Sequence, residues 1–167
     1  MLISEGEIIA QLAEVFARPD SRIVVGIGDD AAVVTTTHRS VVTTDMAVEG
    51  VHFRRDWSSP FEIGRKITAA NLADLCAMGA TPDHLVVAVS LTGNESLEWI
   101  KELAIGIDQR ISKVQRDSNW WRCCSGFTRN NFHYCNLEHR YSDLEQKSEI
   151  QFIFRRYQGG QQPVCIC

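Results

Sequence analysis

The chain has 167 residues, 44% of them hydrophobic and 23% charged, with a formal net charge of −4. That length suits one domain with a real core, and the mild acidity argues against a nucleic-acid footprint. No run of about 18 apolar residues marks a membrane span, and MLISEGEIIAQLAEVF carries acids where a secretory leader carries bases, so a cytoplasmic location is expected.

Ser4-Glu5-Gly6-Glu7 reads as a capping box, in which Ser4 accepts from the amide three residues on and Glu7 reaches back. Ile8, Ile9, Leu12, Val15 and Phe16 then form one helical stripe that ends before Pro19. Two short β-branched runs, Arg22–Gly26 and Ala31–Thr35, are split by Gly28-Asp29-Asp30, and Ser40–Asp45 is a further strand. Ser59-Pro60-Phe61-Glu62 is a second capping box with proline at N1, opening a helix to about Met78 that Gly79 stops. His84–Leu91 reads as a buried strand, and Ser96–Asp108 as an amphipathic helix with Leu97, Ile100, Leu103 and Ile107 inward. Strands alternating with helices place the chain in the α/β or α+β class.

Three acidic segments carry the chemistry. In Gly26-Ile27-Gly28-Asp29-Asp30-Ala31-Ala32, glycines permit close backbone approach and the paired Asp residues are hard oxygen donors suited to magnesium, though Gly-Asp-Asp is also an ordinary turn. Thr43-Thr44-Asp45 closes a strand, and Val48-Glu49-Gly50-Val51-His52-Phe53 follows it; a turn with a packed His52 is the plainer reading. In Asn71-Leu72-Ala73-Asp74-Leu75-Cys76-Ala77-Met78-Gly79-Ala80, Asp74 stands among Ala and Leu, where a buried charge needs a partner or a metal. Arg65 and Lys66 show that the same helix has a polar side. No G-x-x-x-x-G-K-[ST] phosphate loop occurs.

In order and spacing these segments resemble the N-terminal half of thiamine-monophosphate kinases. The acidic pattern is shared by a wider superfamily that includes aminoimidazole ribonucleotide synthetase, selenophosphate synthetase and hydrogenase maturation proteins. Glu49-Gly50-Val51-His52-Phe53 favours the thiamine enzyme. The resemblance implies the N-terminal domain of the aminoimidazole ribonucleotide synthetase-like fold, here incomplete, and ATP-dependent phosphorylation of thiamine phosphate to thiamine diphosphate with magnesium. Carried over by position, it makes Asp30, Thr43, Thr44, Asp45 and Asp74 magnesium ligands, places Asp29 beside them as a further metal or nucleotide contact, and gives His52 to the thiamine substrate. It also implies a homodimer built through N-terminal strands.

The resemblance stops near residue 109, and so does the composition. Residues 1–109 hold thirteen Ala and one Cys with net charge −8, whereas residues 110–167 hold no Ala, five Cys and net charge +4. The family carries a Gly-Gly-Asp metal segment after the last helix; here Ser118-Asn119-Trp120-Trp121-Arg122 stands in its place. Read one nucleotide later, tandem Trp codons give Gly-Gly and the next codon admits Asp. Residues 110–167 are therefore expected to be an out-of-frame, irregular tail with no domain assigned, and the chain a fragment with little kinase activity of its own.

Two other readings of the tail are weaker. Cys123, Cys124, His133, Cys135, His139, Cys165 and Cys167 lack the paired C-x₂-C spacing of zinc modules. Arg110, Arg116, Arg122 and Arg129 with Trp120, Trp121 and Phe127 would suit a single-strand-binding arm, but such scatter also arises from off-frame translation. Without a leader the cysteines are expected to stay reduced.

Overall fold

A computed structural model describes residues 3–37, 40–116, 147–154 and 164–166, with residues 115–116 and the last two stretches as backbone. The order is α1 (Glu5–Phe16), β1 (Ile23–Val25), β2 (Val33–Val34), β3 (Ser40–Ala47), α2 (Pro60–Ala77), β4 (Thr81–Val89), α3 (Leu97–Arg116), β5 (Lys147–Phe154) and β6 (Val164–Ile166). This is the mixed helix-and-strand class that the patterning predicts.

Both capping boxes form. Ser4 N–H donates to Glu7 Oε2 at 2.8 Å while Glu7 N–H donates to Ser4 Oγ at 3.3 Å. Ser59 and Glu62 repeat the arrangement at 2.9 and 3.3 Å, with Pro60 at N1. The end of α2 is equally local in origin. Gly79, at φ +70°, lets its own N–H reach the Cys76 carbonyl at 3.0 Å and the Ala80 N–H reach the Leu75 carbonyl at 2.9 Å, satisfying carbonyls that the helix leaves open.

β1 and β2 pair antiparallel as a small separate ribbon. The main sheet runs β3-β5-β4-β6, with β5 parallel to both β3 and β4 and β6 antiparallel to β4. One core joins α2, α3 and the sheet through Ile63, Leu75, Val87, Leu103 and Ile107; a second joins α1 to α3 through Ile8, Leu12, Ile100 and Ala104. The stripes of α1 and α3 thus face inward as their spacing predicts. Arg22 fastens the ribbon to the sheet by pairing with Asp20 at 2.5 Å and with Asp83 at 2.6 Å.

Two glycines set the distance between α2 and α3. A Cβ on Gly64 would sit 3.0 Å from the Ile107 amide nitrogen and closer still to the Leu103 carbonyl oxygen. A Cβ on Gly106 would lie 3.0 Å from Phe61 Cα and run into the Phe61 carbonyl oxygen. The two helix backbones touch at these points, and Ala at either position would drive them apart.

Three stretches from residue 110 onward are described. α3 continues past Gln109 to Arg116, and the backbone of residues 147–154 enters the sheet between β3 and β4. Residues 164–166 add a short outer strand. Ile150, Phe152 and Phe154 alternate at period two, a strand signal that the compositional break hides. The Trp120-Trp121 segment, the Cys and His ligand set and, apart from Arg110, the Arg-aromatic arm lie outside the residues whose side chains are described. Cys76, on the last turn of α2, is disulfide-bonded.

Candidate functional site

The three acidic segments occupy a hairpin loop, a strand and a helix. Asp29 and Asp30 lie in the connection between β1 and β2, where Gly28 takes φ +108° and the Asp30 N–H donates to Asp29 Oδ1 at 2.9 Å. Both carboxylate residues are exposed.

On β3, strand alternation puts Val41, Thr43, Asp45 and Ala47 on one face and Val42, Thr44 and Met46 on the other. Val41 and Ala47 pack into the core beneath α2, so Thr43 and Asp45 share the face that meets this helix. Thr43 Oγ1 donates to Asp74 Oδ2 at 3.5 Å, the direct link between the second and third segments. The structure therefore brings Thr43 and Asp74 together and puts Asp45 on the same strand face. Thr44 projects from the opposite face. Asp74 is exposed rather than buried, because α2 buries the face carrying Ile67, Asn71, Leu72 and Leu75.

His52 belongs to a compact turn after β3. Val51 and His52 amides donate to the Val48 carbonyl at 3.1 and 2.8 Å, and Gly50, at φ +82°, donates from its N–H to the Phe53 carbonyl at 2.8 Å. The Val48 N–H donates to His52 Nδ1 at 3.0 Å, and Lys66 Nζ on α2 donates to the His52 carbonyl at 2.6 Å. Phe53 packs against the core, so the turn is anchored while the His52 ring stays exposed.

An ion cluster braces the same turn from its other side. Arg55 pairs with Glu49 at 2.9 Å and with Glu95 at 2.5 Å, and its guanidinium lies 4.9 Å from the Trp99 ring centroid. The Glu95 side chain is fully buried. Burial pushes its carboxyl up, but the Thr92 hydroxyl at 2.7 Å and Arg55 outweigh this and hold it below the usual carboxylate range. The contacts of Lys66 with His52 and of Arg55 with Glu95 span 14 and 40 residues, and no spacing rule in the sequence reaches that far. A cavity of about 570 Å³ opens beside Arg55, Trp57 and Trp99, and none of the acidic-segment residues lines it.

Whether these residues suit magnesium rests on donor chemistry. Asp29, Asp45 and Asp74 are hard oxygen donors, solvent-facing, and without an ion pair among the described residues. No three acidic, His or Cys side chains converge on one point among the described residues, so there is no all-protein cage. Magnesium fits such a set because it keeps waters and takes one or two carboxylates together with substrate phosphates.

These features define a mixed α/β domain that presents oxygen donors from a loop, a strand and a helix. The family described as "AIR synthase related protein, N-terminal domain" matches residues 28–117, more than half of the chain, and the chain belongs to this family. It is similar to the thiamine-monophosphate kinase of Corynebacterium glutamicum, 45% identical over 93 residues that cover 54% of this chain and 28% of that protein. The thiamine-monophosphate kinase of Mycobacterium tuberculosis is 49% identical over 98 residues, covering 58% and 29%. Among solved structures, that of the thiamine-monophosphate kinase from Stenotrophomonas maltophilia K279a superposes with a TM-score of 0.51 at 25% identity, covering 94% of this chain and 40% of that chain. The expected resemblance and N-terminal fold are thus borne out, and the chain spans well under half the length of these relatives. No helix among the described residues is long and apolar enough to cross a membrane.

Proposed function

We propose that this chain carries the N-terminal part of an ATP-dependent kinase that phosphorylates thiamine phosphate to thiamine diphosphate. The observation that carries the reading is the meeting of Thr43 and Asp74, two family motifs 31 residues apart, across the β3–α2 junction. Asp30, Thr43, Thr44, Asp45 and Asp74 would hold magnesium, with Asp29 as a further contact, and His52 would meet the thiamine substrate; the Thr44 side chain lies on the face of β3 opposite Thr43 and Asp45. Bound magnesium would offset phosphate charge during transfer, the main demand of such chemistry. β3 is an edge strand exposing Val42 and Met46, which suits pairing with a second copy.

A second reading is a non-catalytic fragment that retains binding alone. It is supported by the family match ending at residue 117 and by Ser118–Arg122 standing where the resemblance implies Gly-Gly-Asp. In that reading residues 1–109 form the partial domain, and the residues from 110 onward are translated out of frame.

Incubation of the purified chain with ATP, magnesium and thiamine phosphate tests both. Thiamine diphosphate formation lost in Asp45→Ala and Asp74→Ala supports the kinase; magnesium-dependent ATP binding without turnover supports the fragment; neither activity refutes both. The gene's nucleotide sequence decides the frame directly: early stops, or no Gly-Gly-Asp, in the +1 reading from codon 110 would rule out the shift.

A further inference from the structure

The turn that follows β3 does more than expose a histidine. His52 is held from two places: by the Val48 amide of the turn itself and by the Lys66 ammonium of α2. An amide N–H can donate to an imidazole nitrogen only where that nitrogen carries a lone pair. The 3.0 Å contact from Val48 therefore requires Nδ1 to be bare and the neutral ring to carry its proton on Nε2.

The closure of the turn is what keeps that contact in reach. The His52 N–H donates to the Val48 carbonyl at 2.8 Å, so residues 48 and 52 are held together at the backbone. Lys66 takes the remaining backbone group of His52, its carbonyl oxygen, at 2.6 Å. That contact ties the far end of the turn to a helix that is itself locked by its capping box and by the core. His52 Nε2 has no hydrogen-bond partner among the described residues, and the ring is exposed.

We propose that Lys66 is a positioning residue that, with the Val48 amide, holds His52 as the Nε2–H tautomer. His52 then presents a fixed hydrogen-bond donor to a lone-pair acceptor, either a ring nitrogen or a phosphate oxygen of the ligand. The ligand side of the inference rests on the thiamine-phosphate reading above; the tautomer side does not.

The test is long-range nitrogen–proton NMR of the His52 ring in the full chain at a pH of about 8, where free histidine is neutral, with the signal assigned by its loss in His52→Gln. The wild type is expected to show Nδ1 unprotonated and Nε2 protonated. In Lys66→Met the tautomer preference falls by roughly fivefold, the worth of one hydrogen bond, and Lys66→Arg restores it. Binding of thiamine phosphate and of thiamine, measured on the same proteins, falls in parallel with the tautomer preference. Loss for thiamine phosphate alone locates the acceptor on phosphate, and loss for both locates it on the ring system. A proton on Nδ1 in the wild type, or an unchanged tautomer ratio in Lys66→Met, overturns the proposal. A fixed, lysine-dependent tautomer without binding of either compound upholds the positioning role and refutes the thiamine reading instead.

Discussion

The hydroxyl of Thr43 on β3 stands 3.5 Å from a carboxylate oxygen of Asp74 on α2. The carboxylate is exposed and has no ion pair among the described residues, so removing it should barely touch stability. Thr43→Val and Asp74→Asn are expected to change unfolding free energy by no more than about 0.5 kcal/mol. Magnesium affinity in the presence of ATP should fall roughly tenfold or more in Asp74→Asn. Because the two side chains are neighbours, the double variant should lose less than the sum of the singles. Calorimetric titration of all three variants checks this; strict additivity would mean that the two residues act at separate places.

Gly106→Ala sets two effects of opposite sign against each other. Helix propensity favours Ala by about 1 kcal/mol at an interior position. The added methyl, however, would press on the Phe61 backbone, which cannot rotate away as a side chain would. Overpacking of this kind costs about 3 kcal/mol, so net destabilisation by about 2 kcal/mol is expected in urea unfolding. Gly64→Ala should behave alike. A stabilised variant would show that the helices have room to separate.

The fully buried Glu95 makes stability depend on acid. Its carboxyl is held below the ordinary range despite burial, by the Thr92 hydroxyl and Arg55. The sign follows from linkage: this contribution is complete above the unfolded-state value of about 4.3 and is lost as pH falls through the lower folded-state value. Glu95→Gln should flatten the acid limb of the stability curve below about pH 4. Glu95→Ala, which leaves Arg55 without its closest partner, should cost on the order of 3 kcal/mol near neutral pH. Denaturant titrations at several pH values read both effects.

Loss of the Ser59 hydroxyl in Ser59→Ala leaves the Glu62 amide without its acceptor at the start of α2. The expected cost is about 1 kcal/mol. The helix ends at Gly79 through contacts that Ser59 does not share, so circular dichroism should show a lowered unfolding midpoint with native helix content retained. A loss of helix signal at low temperature would instead mean that the cap nucleates the whole helix.

Legibility in the sequence divides by range. Ser4 with Glu7, Ser59 with Glu62, and Gly79 after Met78 act within one helical turn, so helix starts and the stop of α2 could be read directly. The stripes Ile100, Leu103 and Ile107 likewise fixed which side of α3 is buried. Pairings across long separations were invisible: Arg55 with Glu95, Lys66 with the His52 carbonyl, and the contact of Gly106 with Phe61 all depend on how elements stack. Of the candidate site, the residue types and the strand and helix that carry them were legible. That Thr43 rather than Thr44 faces Asp74 follows from the side of β3 that α2 covers, which no local pattern states. β5 was missed for a different reason, since the abrupt change of composition masked a short alternating run at Ile150, Phe152 and Phe154.

The most direct measurement is equilibrium binding of ATP to the full chain with and without magnesium, repeated for Asp45→Ala. If Asp30, Asp45 and Asp74 form a magnesium-dependent phosphate site, ATP should bind only when magnesium is present, and Asp45→Ala should abolish that binding while its thermal midpoint stays at the wild-type value. ATP binding that is indifferent to magnesium, or undiminished in Asp45→Ala, would contradict the assignment of these carboxylates to a phosphoryl-transfer site.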